Sequence, residues 1–173
     1  MENKTGITIL RDLLDEDTRK FTTGEIHLQY NLEVWMREAD SLQLKAVLHK
    51  YLDYIREHVN KLQAFFVQEN INYISFDNPL MNAFINEANE KLAACTDVVI
   101  KDVCLLACIQ GINHYKMSVY GTASSFAKAM DLGTSAALFR EMEINEKNID
   151  HKLSQLAEHE ININAIAPLL LTV

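Results

Sequence analysis

The chain has 173 residues, of which 49% are apolar and 23% charged, and it contains only 5 Gly and 2 Pro. This composition argues against a disordered protein and favours a single domain, residues 1–173, with long segments and few loops. The formal net charge is −8 and no run of Lys or Arg occurs, which argues against a nucleic-acid partner. No apolar stretch reaches the roughly 18 residues of a membrane-spanning helix, and the N-terminus lacks the pattern of a secretory signal. We therefore expect a cytoplasmic protein without a membrane partner.

Three cysteines, Cys95, Cys104 and Cys108, stand among apolar residues without CxxC spacing. Cys104 and Cys108 lie one turn apart on a helix predicted below, so a redox pair or half of a metal site is an open alternative. Small buried residues in a reduced compartment explain the three thiols better.

The N-terminal half predicts a short leading helix and two long helices. A short apolar pattern within residues 1–21 precedes a charged stretch, which favours the leading helix. Apolar residues then recur at helical spacing over about 22–39 and again over 42–69. Asp40 and Ser41 separate the two patterns, and they can cap the second long helix.

The C-terminal half predicts three further helices. The segment 70–78 is loop-like, and Asn78-Pro79 is a helix-start signal for a helix that ends near Ala94. A long apolar pattern then extends from a cap at Thr96 or Asp97 to Asp131.

Leu132-Gly133 ends that pattern, with Gly133 as the C-terminal cap. The last long helix is capped by Thr134 and extends to about Glu158. The apolar tail, residues 161–173, has no clear periodicity, and we assign it no secondary structure.

Short connections make neighbouring long helices antiparallel, so the four long helices form an antiparallel four-helix bundle. The helix from Pro79 to Ala94 is an additional shorter helix in the crossover between the second and third long helices. Such a crossover is typical of ferritin-like proteins. We predict an all-α, ferritin-like fold with a core bundle over about 22–160.

Ferritin-like bundles often hold two metal ions between inward carboxylates and histidines, so a metal site of this kind requires such residues on the apolar faces. Glu25 lies on the apolar face of the first long helix, although Thr22 and Glu25 also fit a capping box. His58 faces inward on the second, where a hydrogen-bonded core histidine is the alternative. Glu146 and Asp150 lie one turn apart on the last helix, where a solvated helix edge is the alternative.

The third long helix presents Asn113 and Lys116 on its apolar face beside Tyr120. A lysine has the wrong charge for a metal ligand. No nucleophile motif of the GxSxG type and no glycine-rich phosphate loop occurs in the sequence.

Three segments carry a resemblance to a known family: INEANEKL at 85–92, INHYKMSVYGT at 112–122 and EMEINEKNIDHKLSQLA at 141–157. Together they resemble the YciE/YciF family of stress-associated, ferritin-like bacterial proteins. The resemblance covers about 22–160 and is most specific in the HY…YG segment and the E-K-x-x-D that follows it. It implies a di-metal site built from inward acids of all four long helices.

Carried over to this chain, the resemblance matches three acids, Glu25, Glu146 and Asp150. Four positions depart from the family's acids: Tyr54, Asn113, Lys116 and Asn145. Because few carboxylates remain, we expect a degenerate site in which Lys116 supplies part of the charge of the metals. A buried lysine needs a partner, and we expect Lys116 within ion-pair reach of Glu25 or Glu146.

The leading hypothesis is therefore a non-enzymatic, stress-associated protein that binds no cofactor and acts as a structural or interaction protein. The alternative is an iron or manganese protein, an oxidase, peroxide scavenger or storage protein, whose non-standard site uses Glu25, His58, Glu146 and Asp150. The apolar tail and the resemblance both favour a homodimer. A third hypothesis is a small-ligand binder with a pocket near three tyrosines: Tyr51, Tyr54 and Tyr120.

Overall fold

The computed structural model describes residues 7–72 and 76–166, and within these ranges it contains helices and no strand. The predicted all-α class is confirmed. None of the helices in the described ranges has the length and apolar character needed to cross a membrane. The elements are α1 (Leu10–Glu38), α2 (Leu42–Gln68), α3 (Pro79–Ala94), α4 (Val98–Ala129), α5 (Gly133–Leu156), a π turn (Ala157–Ile161) and α6 (Asn162–Ile166).

The four long helices α1, α2, α4 and α5 form the bundle. α1 packs on α2 and α4 packs on α5, while contacts between α1 and α4 and between α2 and α5 close the ring. The shorter α3 lies in the crossover from α2 to α4 and packs against α1 and α4. This is the predicted ferritin-like arrangement, with the additional helix where the sequence places it.

The N-terminal helix differs from the prediction because α1 is continuous from Leu10, and the expected short leading helix is its first part. Asp12 caps its start by accepting hydrogen bonds from the backbone N–H groups of Thr8 (3.1 Å) and Ile9 (3.3 Å). The capping box predicted at Thr22 and Glu25 is therefore wrong. The Thr22 hydroxyl donates to the carbonyl four residues earlier at 2.8 Å, a bond that a threonine can make inside a helix.

The predicted starts of α2, α3 and α4 are confirmed, with Asp97 rather than Thr96 at α4. The Ser41 hydroxyl accepts from the N–H of Leu44 at 3.1 Å, and Asn78 accepts from the N–H of Met81 at 2.9 Å. Asp97 accepts from two backbone N–H groups at the start of α4. These side chains satisfy N–H groups that no helical carbonyl can reach.

The junction of α4 and α5 corrects the predicted role of Gly133, which is the first residue of α5 rather than the end of α4. α4 ends at Ala129, and Asp131 takes the left-handed conformation with φ of 59°. The N–H of Leu132 then donates to the Ala127 carbonyl at 2.9 Å, which is the closing bond of a Schellman motif. No side chain caps α5, so the predicted cap at Thr134 is also wrong.

The C-terminal segment also differs, because α5 ends at Leu156 rather than at Glu158 and continues through the π turn into α6. Ile161 is only 2% exposed, so the first residue of the predicted tail belongs to the core of this chain. Ile163 and Ile166 are exposed. The remainder of the predicted tail, residues 167–173, lies outside the described residues.

The core of the bundle divides into two apolar clusters, and the division falls at the same level on every long helix. We call them the Trp35 cluster and the Phe139 cluster. The Trp35 cluster includes Leu28, Leu32, Leu48, Ile55, Ile109 and Ile149. The Phe139 cluster includes Leu14, Leu62, Phe65, Tyr120, Ala127 and Met142. Between them lies a polar layer made of Glu25, His58, Asn113, Lys116 and Glu146.

Candidate functional site

The polar layer brings one charged or ionisable side chain from each long helix to the centre of the bundle. Glu25 comes from α1, His58 from α2, Lys116 from α4 and Glu146 from α5, and none of them is more than 2% exposed. Each follows the inward spacing of its helix, since apolar core residues precede and follow it on the same face. Buried charge of this density is rare in a bundle core, so the layer is the candidate site.

Lys116 lies between the two carboxylates. Its Nζ is 2.7 Å from Glu146 Oε1 and 3.0 Å from Glu25 Oε2. The same atom lies 4.6 Å from the centroid of the Tyr51 ring, in position for a cation–π contact. The ammonium thus contacts negative charge on two sides and an aromatic face on a third, which offsets part of its desolvation.

The other carboxylate oxygens accept hydrogen bonds from neutral donors. Tyr120 donates to Glu25 through a short bond from its hydroxyl. Tyr51 donates to Glu146 Oε2 at 3.0 Å, and the amide of Asn113 donates to the same oxygen at 2.7 Å. Burial, and then the adjacent carboxylates, raise the pKa of both tyrosines well above the ordinary value, so both remain protonated donors.

The two glutamates shift in opposite directions. Burial raises the pKa of the Glu25 carboxyl, but Lys116, His58 and Tyr120 together outweigh it and bring this pKa below its ordinary value. At Glu146 the effect of burial, which raises the pKa, exceeds the opposing effect of the Lys116 ammonium. The negative charge of Glu25 acts in the same direction as burial, so the pKa of Glu146 is raised. One ammonium cannot fully compensate two buried carboxylates, and Glu146 is the carboxyl whose neutral form its surroundings favour.

His58 occupies the fourth side of the layer. Its Nδ1 is 3.5 Å from Glu146 Oε1 and 3.8 Å from Glu25 Oε1. Its Nε2 lies 3.4 Å from the amide nitrogen of Asn145. Tyr54 stacks on the imidazole. Asn145 and Tyr54 are therefore partly buried neighbours of His58 and not members of the layer.

Asp150 lies outside the polar layer, although the sequence predicted it as a ligand candidate. Its carboxylate is 2.7 Å from Nε2 of His114, whose side chain is 61% exposed. The inward position one turn after Glu146 belongs instead to Ile149, which is fully buried. The predicted alternative of a solvated helix edge applies to Asp150 and not to Glu146.

Comparison with known proteins places this arrangement in a family. The model of the family described as a domain of unknown function, DUF892, matches residues 9–166. The chain belongs to this family. Protein YciF of Escherichia coli (strain K12) is 26% identical over 144 residues, which cover 83% of this chain and 87% of that protein. The predicted YciE/YciF-like relationship is confirmed.

Two solved structures have the same fold. The crystal structure of the E. coli stress protein YciF matches with a TM-score of 0.85 and 23% identity, over 90% of this chain and 99% of that chain. YcfI, a putative structural protein from Rhodopseudomonas palustris, matches with a TM-score of 0.84 and 21% identity, over 87% of this chain and 96% of that chain.

The di-metal site that the YciE/YciF resemblance implies does not fit the polar layer of this DUF892 chain. Glu25, His58 and Glu146 offer ligand atoms within 4.8 Å of one another. However, Lys116 Nζ contacts the carboxylate oxygens that a cation would need. Two carboxylates are also too few for two hard cations, which take several anionic oxygens each.

Several buried polar atoms of the layer have no well-aligned hydrogen bond: Glu25 Oε2, Glu146 Oε1, His58 Nδ1, Asn113 Oδ1 and Lys116 Nζ. The two carboxylate oxygens contact the Lys116 ammonium as ion pairs. Removal of Lys116 would leave these buried oxygens without compensation.

Space beside the layer is limited. A cavity of about 10 Å³ adjoins Lys116, which is room for about one water molecule. Tyr51 and Tyr120 are fully buried hydrogen-bond donors rather than the walls of a ligand pocket. The hypothesis of a small-ligand site near these tyrosines therefore has no support in this part of the bundle.

Proposed function

We propose that the protein is a metal-free, non-enzymatic, ferritin-like protein that acts as a structural or interaction protein in a stress response. The observation that carries the proposal is the position of Lys116 Nζ between the carboxylates of Glu25 and Glu146. In this proposal Lys116 substitutes for the charge of the metals. The descriptions of two relatives, a stress protein and a putative structural protein, support the role.

The charge of the polar layer supports this proposal. The Lys116 ammonium compensates part of the negative charge of the two carboxylates, and burial, which raises the pKa of Glu146, favours the neutral form of that carboxyl. Both effects reduce the negative charge that a metal would otherwise compensate. It also lacks the open ligand position that metal-dependent catalysis requires.

Elemental analysis tests the proposal directly. We expect protein produced in medium supplemented with iron and manganese to contain far less than one metal ion per chain. The variant Lys116→Glu restores the missing acid beside three candidate ligand residues, and we expect it to retain metal. Lys152→Glu makes the same charge change at an exposed position of α5 and serves as the control. About one ion per wild-type chain would overturn the proposal.

A single-ion iron or manganese site is the second candidate, because Glu25, His58 and Glu146 have converging ligand atoms. It requires Lys116 to leave the layer. In that case manganese should stabilise the wild-type protein against urea, and Glu146→Gln should remove the effect. Under the proposal of a metal-free site, manganese leaves the wild-type transition unchanged.

We also propose that the protein works in the cytoplasm as a homodimer. A row of apolar residues at helical spacing on α1 is exposed: Ile26, Tyr30 and Val34. A continuous apolar row of this kind suits a surface that a second subunit covers. Light scattering should give the mass of two chains, and Tyr30→Glu should shift that mass towards one chain.

A further inference from the structure

Two of the three cysteines are in contact where α3 connects to α4. Cys95 is the C-cap residue of α3, and Cys104 lies in the second turn of α4. Their Sγ atoms are 3.2 Å apart, and both side chains are partly exposed. The sulfur atoms of a disulfide are about 2.05 Å apart, so a movement of about 1 Å would bring these two to bonding distance.

The surroundings of the two thiols differ. Burial, followed by the hydrogen bond with Cys95, raises the pKa of Cys104 to about 11. Cys104 therefore keeps its proton, and in the contact Cys95 Sγ donates to Cys104 Sγ. Lys91 lies one turn before Cys95 on α3, and its ammonium interacts with Cys104 and Cys108. Because Cys104 keeps its proton, it suits the role of the resolving thiol.

We infer that Cys95 and Cys104 are an oxidation site that forms a reversible intramolecular disulfide when a peroxide reaches the partly exposed end of α3. Cys95 is the thiol that attacks, and Cys104 is the thiol that resolves the intermediate. This inference does not rest on the function proposed for the polar layer.

The chemistry balances with hydrogen peroxide as the oxidant. The Cys95 thiolate attacks one peroxide oxygen, so that an S–O bond forms, the O–O bond breaks and hydroxide leaves. The Cys104 sulfur then attacks Cys95 Sγ, so that the S–S bond forms and the S–O bond breaks. Water leaves with the proton of Cys104. Overall, two thiols and one peroxide give one disulfide and two water molecules, and a dithiol reductant reverses the change.

The position of the pair limits what oxidation does to the fold. α3 already packs against α4. The disulfide would fix this contact without moving either helix by more than the distance between the sulfurs. We therefore expect the oxidised protein to keep its helical circular dichroism spectrum and to unfold at a higher temperature than the reduced protein.

The sequence itself provides a convenient test. Lys101 lies between the two cysteines, so trypsin places Cys95 and Cys104 in different peptides unless a disulfide joins them. After equimolar hydrogen peroxide, the full-length protein should lose two of its three free thiols, and the two peptides should be linked. Dithiothreitol should restore all three thiols.

Single variants identify the roles. Cys108→Ser is the matched control, because Cys108 lies one turn beyond Cys104, and this variant should still form the link. Cys104→Ser should accumulate a sulfenic acid on Cys95 that dimedone traps, and Cys95→Ser should form no intramolecular disulfide. A link between Cys104 and Cys108, a disulfide between two chains, or three free thiols after oxidation of the wild-type protein would each overturn the inference.

Discussion

The polar layer and the two apolar clusters are built from the same four helices, but they stabilise the bundle in different ways. In the Trp35 and Phe139 clusters, fully buried side chains such as Leu48 and Phe139 contribute through area and packing. In the polar layer each group depends on a particular partner, because removal of one charge leaves another buried without compensation. Substitutions in the clusters are therefore limited by side-chain volume, whereas substitutions in the layer are limited by charge and hydrogen-bonding capacity.

The largest expected effect comes from reversing the charge at the centre of the layer. Lys116→Glu places three carboxylates together without an ammonium, and we expect a loss of about 3–5 kcal/mol in the free energy of unfolding. Urea denaturation in the absence of metal measures it. Added manganese should recover part of the loss in this variant, because a divalent cation can replace the missing positive charge.

Lys152→Glu is the control for that change, since Lys152 is exposed on α5. We expect it to change the free energy of unfolding by less than about 0.5 kcal/mol. If Lys116→Glu changes stability as little as the control does, Lys116 reaches solvent and the layer is not a buried ion-pair site.

The next effect concerns the hydrogen bond to Glu25. Tyr120→Phe keeps the aromatic ring in the Phe139 cluster but removes the hydroxyl donor from a buried carboxylate. We expect a loss of about 1.5–3 kcal/mol, which is typical of hydrogen bonds to charged groups. Tyr54→Phe is the control, because Tyr54 is only partly buried and stacks on His58 through its ring. Equal losses in the two variants would contradict a special role for Tyr120.

The free energy of unfolding should depend on pH through the layer but not through the clusters. The folded-state pKa of Glu146 is raised above 4.5, so the stability it contributes is present below that value and is lost as the pH rises through the raised pKa. Wild type should thus lose stability relative to Glu146→Gln, whose neutral amide resembles the protonated carboxyl, as the pH rises from about 4 to about 8. Ile109→Val, in the Trp35 cluster, should cost about 0.5–1.5 kcal/mol at both pH values. If the free energies of unfolding of wild type and Glu146→Gln changed with pH in the same way, the raised pKa of Glu146 would be contradicted.

The smallest effect is expected at Asp150, outside the layer. Its partner His114 is mostly exposed, and exposed ion pairs contribute little. Asp150→Asn should change the free energy of unfolding by less than about 0.5 kcal/mol in the same urea experiment. A loss comparable to that of Tyr120→Phe would place Asp150 in the functional site after all.

Most of the bundle could be predicted from the sequence, because apolar periodicity over many turns determines which face of each helix is buried. The same periodicity placed Glu25, His58, Lys116 and Glu146 inward. It could not separate Glu146 from Asp150, since the two lie one turn apart and the rotation of α5, which buries Glu146 and leaves Asp150 partly exposed, depends on its packing.

Two other features depended on local or tertiary detail. The threonines before Glu25 match a capping box, but the same residues can bond to carbonyls within a helix, and the burial of α1 decides between the two. The contact of Cys95 with Cys104 depends on how α3 turns into α4, which no spacing rule for cysteines specifies.

The π turn at Ala157–Ile161 has a consequence for how the chain tolerates changes in length. A π turn accommodates one more residue per turn than an α-helix does, as if a single residue had been inserted. Such an insertion in the middle of α5 would rotate every following side chain by about 100°. Here the extra residue lies about 16 Å along the axis from Glu146, at the rise of about 1.5 Å per residue. An insertion or deletion after Leu156 would therefore leave the register of the buried charges unchanged, although it would shift the core residue Ile161.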